Sequence, residues 1–358
     1  MSDHAPLAPS SAARRMQCPG SRVMEVAYPE VESEKAAEGT LAHDAAFVMA
    51  TKGGVPTEGL TEEMLDGAEM WSDLVGKWDN PHFEEKVECR NIHPDNWGTP
   101  DAWSFDGVTL RVADYKFGHR HVEVVGNWQL LNYAAGILAF SAVAPVINHN
   151  VKIELTVVQP RSYHKDGPVR TWCLTFVEIL PYIERLKQNA LASLAPDAPT
   201  HTGIECRDCR ARHACPTLQS AATTSVQMSG QNIPFNLPSP AIGCELAIMR
   251  EAATLLSARI DGLESEVLAR VKAGQQIPGW RVEQGMGREK WKVPVEEVIA
   301  LGQMMGVDVA KPGVITCKQA IKKGLPADLV SSYTETPTGE IKLVPDDGAK
   351  PRNAFGGK

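Results

Sequence analysis

The sequence predicts an α/β fold with a mixed sheet flanked by helices, followed by a smaller, mainly helical C-terminal domain. Two observations support this class. Over the first 219 residues, stretches with a helical spacing of apolar residues alternate with short β-branched runs. Their order is helix, strand and hairpin, helix, strand, which favours helices packed against one sheet. After them, the polar stretch 220–240 is rich in Ser, Thr, Gln, Asn and Pro, which is typical of a linker.

Each element follows from its own pattern. Apolar residues recurring every three to four positions predict helices over 11–17, 35–51, 62–78, 127–142 and 177–194. Alternating or β-branched runs predict strands over 83–89, 152–158 and 171–176, and a hairpin within 98–116. Residues 1–10 are expected to be flexible, and the first domain to cover 11–219. After the linker we expect a helical domain over 241–332, which begins with a long helix at 241–272, and an extended tail over 333–358.

Composition restricts the possible functions. The chain has 358 residues, of which 43% are apolar and 22% charged, as in ordinary globular proteins of one or two domains. No apolar run approaches the roughly 20 residues of a membrane span, and the N-terminus lacks an apolar signal core, so we expect a cytoplasmic protein. The net charge of −8 argues against a broadly basic nucleic-acid surface. The eight cysteines are too unevenly spread for a secreted disulfide scaffold.

The hairpin within 98–116 has a recognisable turn. Asp106-Gly107 predicts a two-residue type I′ turn, because this turn needs positive φ at both central residues. Phe105 would then pair with Val108. Pro100 cannot donate a hydrogen bond to the ladder, so a bulge there could shift the pairing by one residue.

Three charged residues of this hairpin are expected on one face. With the predicted turn, Asp101 and Asp114 become diagonal neighbours about 7–8 Å apart, and Lys116 shares their face. Two carboxylates this close repel unless a cation or a proton neutralises one of them. A hard ion such as Mg²⁺ suits them, and the lysine could orient or deprotonate water or hold negative charge. The alternative is an ordinary hairpin whose charges face solvent.

Two predicted helices carry further candidates. His43 lies four residues after Gly39 and could reach a metal ion bound by the hairpin, in which case mixed imidazole and carboxylate ligation would favour Mn²⁺. Glu38 ranks below it, because it is displaced by one turn. Gln129 and Tyr133 share one helix face and could reach a nucleic-acid backbone or support the lysine. Taken alone, a lone histidine and a Gln–Tyr pair are more often ordinary surface features.

The cysteines at 206, 209 and 215 form the most specific local pattern. Three thiols within ten residues suit a soft metal or an iron–sulfur cluster, which needs a fourth ligand. Cys18, at a predicted helix end, is the best candidate and would join the start of the domain to its end. The alternative is zinc held by Cys206, Cys209, Cys215 and His213.

In this order, the motifs resemble those of the PD-(D/E)XK nuclease superfamily. The similarity is to its RecB-like exonuclease branch with a C-terminal iron–sulfur cluster, which includes CRISPR-adaptation exonucleases, the AddB helicase–nuclease subunit and phage or prophage nucleases. It covers about residues 11–218 and rests on five motifs. These are Gly39 and His43, Gly98 and Asp101, Asp114 and Lys116, Gln129 and Tyr133, and Cys18 with Cys206, Cys209 and Cys215.

The resemblance implies a restriction-endonuclease-like sheet and a Mg²⁺- or Mn²⁺-dependent DNA exonuclease, acting on single-stranded ends in phage replication or recombination. Ligands to the metal would be His43, Asp101, Asp114 and the carbonyl of Tyr115, with Lys116 serving the attacking water. Gln129 and Tyr133 would support the site, and the four cysteines would hold a structural 4Fe–4S cluster. Asp114 stands where many members have Glu. The rival function is a catalytically silent subunit that binds nucleic acid or a partner protein, and an oligomer is compatible with either.

Overall fold

The computed structural model describes residues 5–28, 34–54, 60–140, 143, 150–229 and 238–280. The helices are α1 Ala12–Gln17, α2 Ser21–Glu25, α3 Glu34–Lys52, α4 Glu62–Val75, α5 Trp128–Leu138, α6 Phe176–Leu194, α7 Pro216–Ser229 and α8 Ser239–Lys272. The strands are β1 His82–Phe83, β2 Val87–Glu88, β3 Trp97–Gly98, β4 Ala102–Phe105, β5 Thr109–Tyr115, β6 Lys152–Val158 and β7 Val169–Thr175. Short 3-10 turns lie at Pro9–Ser11 and Ile204–Asp208.

One five-stranded sheet organises the described residues. Its strand order is β1-β4-β5-β6-β7, and β2 pairs with β3 in a separate two-stranded sheet. Strands β5 and β6 are parallel, whereas the other neighbours in the large sheet are antiparallel. The sheet is therefore mixed, and its helical flanks complete the α/β class that the sequence predicts.

Alternation along the strands places two different cores on the two faces of the sheet. Leu110 and Val112 of β5 belong to a core that includes the buried faces of α5 and α6. Ala113 and Tyr115 of the same strand belong to a second core with residues of α3 and α4, including Trp71. Successive side chains point to opposite faces, so the two helix pairs cover opposite sides of the central strand. Residues near the end of β5 can therefore meet partners from either layer.

Side-chain caps set the beginnings of three helices. Asn127 accepts hydrogen bonds from the backbone N–H groups of the next turn and starts α5, while Thr61 does the same for α4. Thr175 and Glu178 form a capping box at the start of α6. The cap at Asn127 bears on the site because it fixes the helix that carries Gln129.

The predicted register of the hairpin is wrong by two residues. Phe105 pairs with Leu110, so a four-residue loop joins the strands in place of a two-residue turn. Only Gly107 has positive φ there, and Asp106 Oδ1 instead accepts two backbone N–H bonds at 2.9 and 2.7 Å. This side-chain turn replaces the type I′ geometry. A shift of two keeps every residue on its expected face, and extending the register by one residue places Asp101 opposite Asp114.

The strand predicted over 83–89 is also divided. Glu84 has a φ of 46°, which a strand cannot accommodate, and the chain forms β1 before it and β2 after it in different sheets. Similarly, α7 occupies positions 216–229 and so extends through the first half of the linker predicted over 220–240. Leu218 and Ala222 are buried on one side of this otherwise polar segment, which explains why it forms a helix.

Helix α8 packs against the turn Ile204–Asp208 and against α7, with Leu255 and Ala258 buried beside Cys206 and Leu218. It therefore belongs with the first of two compact units, Met1–Val282, and not with a domain that begins at 241. The second unit is Glu283–Lys358, and the predicted features beyond 280 lie outside the described residues. In the part of the chain that the structure describes, no helix is long and apolar enough to cross a membrane.

Candidate active site

Asp114, Lys116 and Gln129 form one hydrogen-bonded cluster at the end of β5. Asp114 is buried, and Lys116 Nζ lies 3.0 Å from its Oδ1 and 2.9 Å from its Oδ2. Gln129 Nε2 donates to Asp114 Oδ1 at 2.9 Å, while its Oε1 accepts from Lys116 Nζ at 3.4 Å. The amide therefore bridges the carboxylate and the ammonium and fixes their relative position.

Asp101 joins this cluster from the residue before β4. Its Oδ2 accepts a hydrogen bond from the Tyr115 backbone N–H at 2.7 Å. His43 approaches from α3 in the opposite helix layer, with Nδ1 3.8 Å from Asp101 Oδ1 and its ring edge-on to Tyr115 at 5.1 Å. Of the predicted candidates, the described structure thus brings together Asp101, Asp114, Lys116, His43 and Gln129.

The charges of the cluster perturb one another. Burial, reinforced by the charge of Asp114, raises the pKa of Asp101 to about 7. Burial alone would lower the pKa of Lys116, but the two carboxylates outweigh it and raise that pKa, which keeps the ammonium charged. Burial and the nearby Lys116 lower the pKa of His43, so its imidazole is neutral at neutral pH and able to bind a metal ion.

Tyr133 supports the loop before Asp101 and does not touch the carboxylates. Its hydroxyl donates to the carbonyl of Thr99 at 3.0 Å, and the side chain is buried, away from any passing nucleic acid. Gly98 packs against the same ring: a Cβ at this position would lie 2.8 Å from Pro9 Cδ and 3.1 Å from Tyr133 atoms. The Gly-x-x-Asp spacing therefore has a packing reason, since only glycine fits between these groups.

Glu38 is engaged elsewhere. Its Oε1 accepts a hydrogen bond from Arg161 at 2.7 Å, Glu63 of α4 accepts another at 2.9 Å, and the guanidinium lies over the Phe117 ring at 3.8 Å. Arg161 thereby ties α3 and α4 to the end of β5. Sequence reasoning missed it because its partners are 123 and 98 residues away. A Cβ at Gly39 would meet no described atom within 4 Å, so close packing does not explain this glycine.

Glu84 is a second residue that sequence reasoning missed. It lines a small cavity together with His43, Asp101 and Tyr115, and its charge acts to raise the pKa of both His43 and Asp101. Its positive φ costs about 1–3 kcal/mol, and such strained residues cluster at functional sites. The available signal was a charged residue inside an alternating strand, which by itself is too common to single out.

The four candidate cysteines line one cavity between the first helices and the loop before α7. Cys18, at the end of α1, faces it together with Cys206, Cys209 and Cys215. His213 is not among the lining residues, because its ring packs edge-on against Tyr28 and its Nε2 lies 3.7 Å from Glu266. The arrangement places Cys18, and not His213, with the three loop thiols.

The cysteine thiols are within electrostatic reach of one another. Burial raises the pKa of Cys18 and Cys206, and raises that of Cys209 to about 12; in each case another of the four acts in the same direction. Among the described residues, no three His, Cys, Asp or Glu side chains meet at metal-ligand distances.

Arg120, four residues after Lys116, donates to both carboxylate oxygens of Asp208 and so joins the hairpin to the cysteine loop.

The fold and this cluster define an α/β protein with a carboxylate–lysine site at one end of a mixed sheet. A family model described as "Protein of unknown function (DUF2800)" matches residues 4–74 and 76–351. The chain therefore belongs to the DUF2800 family.

Proposed function

We propose that the protein is a Mg²⁺- or Mn²⁺-dependent DNA exonuclease of the PD-(D/E)XK type, related to the RecB-like branch. The observation that carries the proposal is that Asp101, Asp114 and Lys116 of the hairpin converge with His43, which comes from the distant helix α3. Two carboxylates, a charged lysine and a neutral imidazole are the groups that metal-assisted phosphodiester hydrolysis requires.

The chemical types of these donors suit a divalent ion, although no three of the described side chains already stand at metal-ligand distances. His43, Asp101, Asp114 and the Tyr115 carbonyl would hold it, and the repulsion between the carboxylates gives a physical reason for a cation there. When bound, such an ion supplies activation of water and stabilisation of charge on phosphate. Asp101 keeps the Tyr115 N–H as a fixed partner, so its free oxygen, Oδ1, is oriented towards His43.

Lys116 is suited to holding negative charge. Its raised pKa keeps it protonated at neutral pH, so the ammonium can attract a phosphate oxygen or hold an attacking water by donation. Gln129 prevents the lysine from swinging away, because it contacts both Lys116 and Asp114. Tyr133 acts indirectly, by fixing the Gly98–Thr99 loop that leads to Asp101.

The cysteine cavity supports a structural 4Fe–4S cluster held by Cys18, Cys206, Cys209 and Cys215. Four cysteine thiols among the lining residues are the ligand type that such clusters use, and the cluster would cross-link α1 to the loop before α7. Structural zinc with His213 is the weaker candidate, since that side chain lies outside the cavity lining. By the resemblance, the substrate would be single-stranded DNA ends during phage replication or recombination in the host cytoplasm.

Cleavage of end-labelled single- and double-stranded DNA tests the proposal. Wild-type protein purified anaerobically should degrade DNA only with Mg²⁺ or Mn²⁺, and Asp114→Ala and Lys116→Ala should abolish cleavage but still bind DNA. Asp106→Ala, on the hairpin loop outside the cluster, is the matched control and should remain active. Wild-type protein that binds DNA without cutting it under any metal would instead identify a silent binding subunit.

A further inference from the structure

Helix α8 exposes a line of large apolar side chains to solvent. Ile242 is 58% exposed, Ile260 is 51% exposed, and Leu246 and Leu263 are also open to solvent. Isolated exposed apolar residues need no explanation, but a contiguous line of them along a 34-residue helix indicates an interaction surface.

The spacing of this line is that of a coiled coil. Apolar residues follow one another at alternating intervals of four and three over almost four heptads. We call this set the heptad stripe; its members are Ile242, Leu246, Met249, Ala253, Leu256, Ile260, Leu263 and Val267. A strict seven-residue period matches a supercoiled partner helix, whereas packing on a globular surface requires only the 3.6-residue period.

The opposite side of α8 already has its partner. Leu255 and Ala258 are buried beside Cys206 and Leu218, and a Cβ at Gly262 would contact Arg212. At 100° per residue, these buried positions lie roughly 150° around the helix from the heptad stripe. Among the described residues, therefore, the stripe has no packing partner after α8 has packed on its own unit.

We propose that α8 forms a parallel, in-register, two-stranded coiled coil with α8 of a second copy of this chain. In the C-terminal half of the stripe, β-branched Ile260 and Val267 occupy the a positions and Leu256 and Leu263 the d positions. This is the combination that favours two parallel strands.

The flanking charges fit the same arrangement. In a parallel pair, the g residue of one helix faces the e residue five positions further along the other. Glu245 at g therefore faces Arg250 at e of the second copy, and the pair occurs twice in the dimer. Within the described residues neither side chain forms a salt bridge. Arg259 and Glu264 repeat the pattern, although Arg259 also donates to the carbonyl of His213.

The mass of the full chain in solution, by light scattering and sedimentation equilibrium without DNA, tests this surface. We expect a particle of twice the 38.9 kDa of one chain. Ile260→Asp and Leu263→Asp should convert it to a monomer with unchanged helix content. Ile248→Asp and Leu268→Asp are matched controls, because these residues are 45% and 44% exposed on α8 but lie off the stripe, and they should remain dimeric.

Exchanging the charges at positions 245 and 250 tests both that the partner is a second copy and that the two helices are parallel. Glu245→Arg alone, or Arg250→Glu alone, places two repelling pairs in the homodimer and should raise the dimer dissociation constant about tenfold. Mixing the two variants restores both attractions only in a parallel heterodimer, so the mixture should regain wild-type affinity. A monomeric wild-type chain, equal effects of stripe and control variants, or a mixture no tighter than its components would each overturn the proposal. None of these outcomes depends on nuclease activity.

Discussion

Replacement of Asp101 by Asn should remove a pH-dependent loss of stability from the metal-free protein. The pKa of this carboxyl is raised to about 7 in the folded chain, against about 3.9 when unfolded. The folded state therefore holds the proton more tightly than the unfolded state does. The stabilisation that the bound proton gives to the folded state is fully present below about pH 4 and is lost as the pH rises to about 7. Asparagine keeps an acceptor for the Tyr115 N–H but has no charge to desolvate.

The magnitude follows from these two pKa values. They differ by about three, which corresponds to about 4 kcal/mol at most. The side chain is 22% exposed, so water screens part of the effect, and about 1–2 kcal/mol should be lost between pH 5 and pH 8. At pH 5 the Asp101→Asn variant should be about as stable as wild type, and at pH 8 it should be more stable than wild type.

Urea denaturation in the presence of a chelator at pH 5 and pH 8 measures this difference. Asp106→Asn is the control of opposite sign: hydrogen bonds from its own loop and from Arg111 lower the pKa of Asp106 despite burial, so that replacement should not stabilise the protein at pH 8. Parallel pH profiles for wild type and Asp101→Asn would refute the reasoning, because they would mean that Asp101 is well solvated and far from Asp114.

Two further predictions concern the loop before Asp101 and the cysteine cavity. Gly98→Ala should cost about 1–3 kcal/mol in the free energy of unfolding, because its Cβ would overlap Pro9 and Tyr133; Gly118→Ala, whose Cβ meets no described atom within 4 Å, should be neutral in the same urea titration. Protein purified anaerobically should be brown and contain iron, and Cys209→Ser should lose the visible absorbance while Cys173→Ser, at an exposed position, keeps it. Equal losses for the two glycine variants, or a colourless zinc protein, would contradict these expectations.

The sequence predicted local features with a local cause. The strand predicted over 152–158 alternates clearly and matches the observed β6. The predicted helix start at Asn127 also agrees with α5, because the Asn127 side chain itself caps the first turn. Side-chain parity, meaning the face of the sheet to which each strand residue points, was predicted correctly despite the wrong register, since a shift of two residues leaves every strand residue on its face. That parity is why the sequence places Asp101, Asp114 and Lys116 on one face despite the wrong register.

What sequence reasoning missed depends on long-range packing or on unusual backbone geometry. The Asp106 side-chain turn replaced the expected type I′ turn, and the positive φ of Glu84 divided a predicted strand. Arg161 acts through partners about a hundred residues away, which no local pattern indicates. The first half of the predicted linker is helical because α8 and the cysteine loop give α7 a surface to pack on.

Titration of the metal-free protein with Mn²⁺ in a calorimeter tests the central claim most directly, namely that His43, Asp101 and Asp114 form one divalent-cation site. Wild type should bind with a saturable heat and release protons at pH 7, since the raised pKa of Asp101 leaves that carboxyl partly protonated. Asp114→Asn and His43→Ala should lose this binding while Asp106→Asn retains it. Identical titrations for wild type and Asp114→Asn would contradict the account.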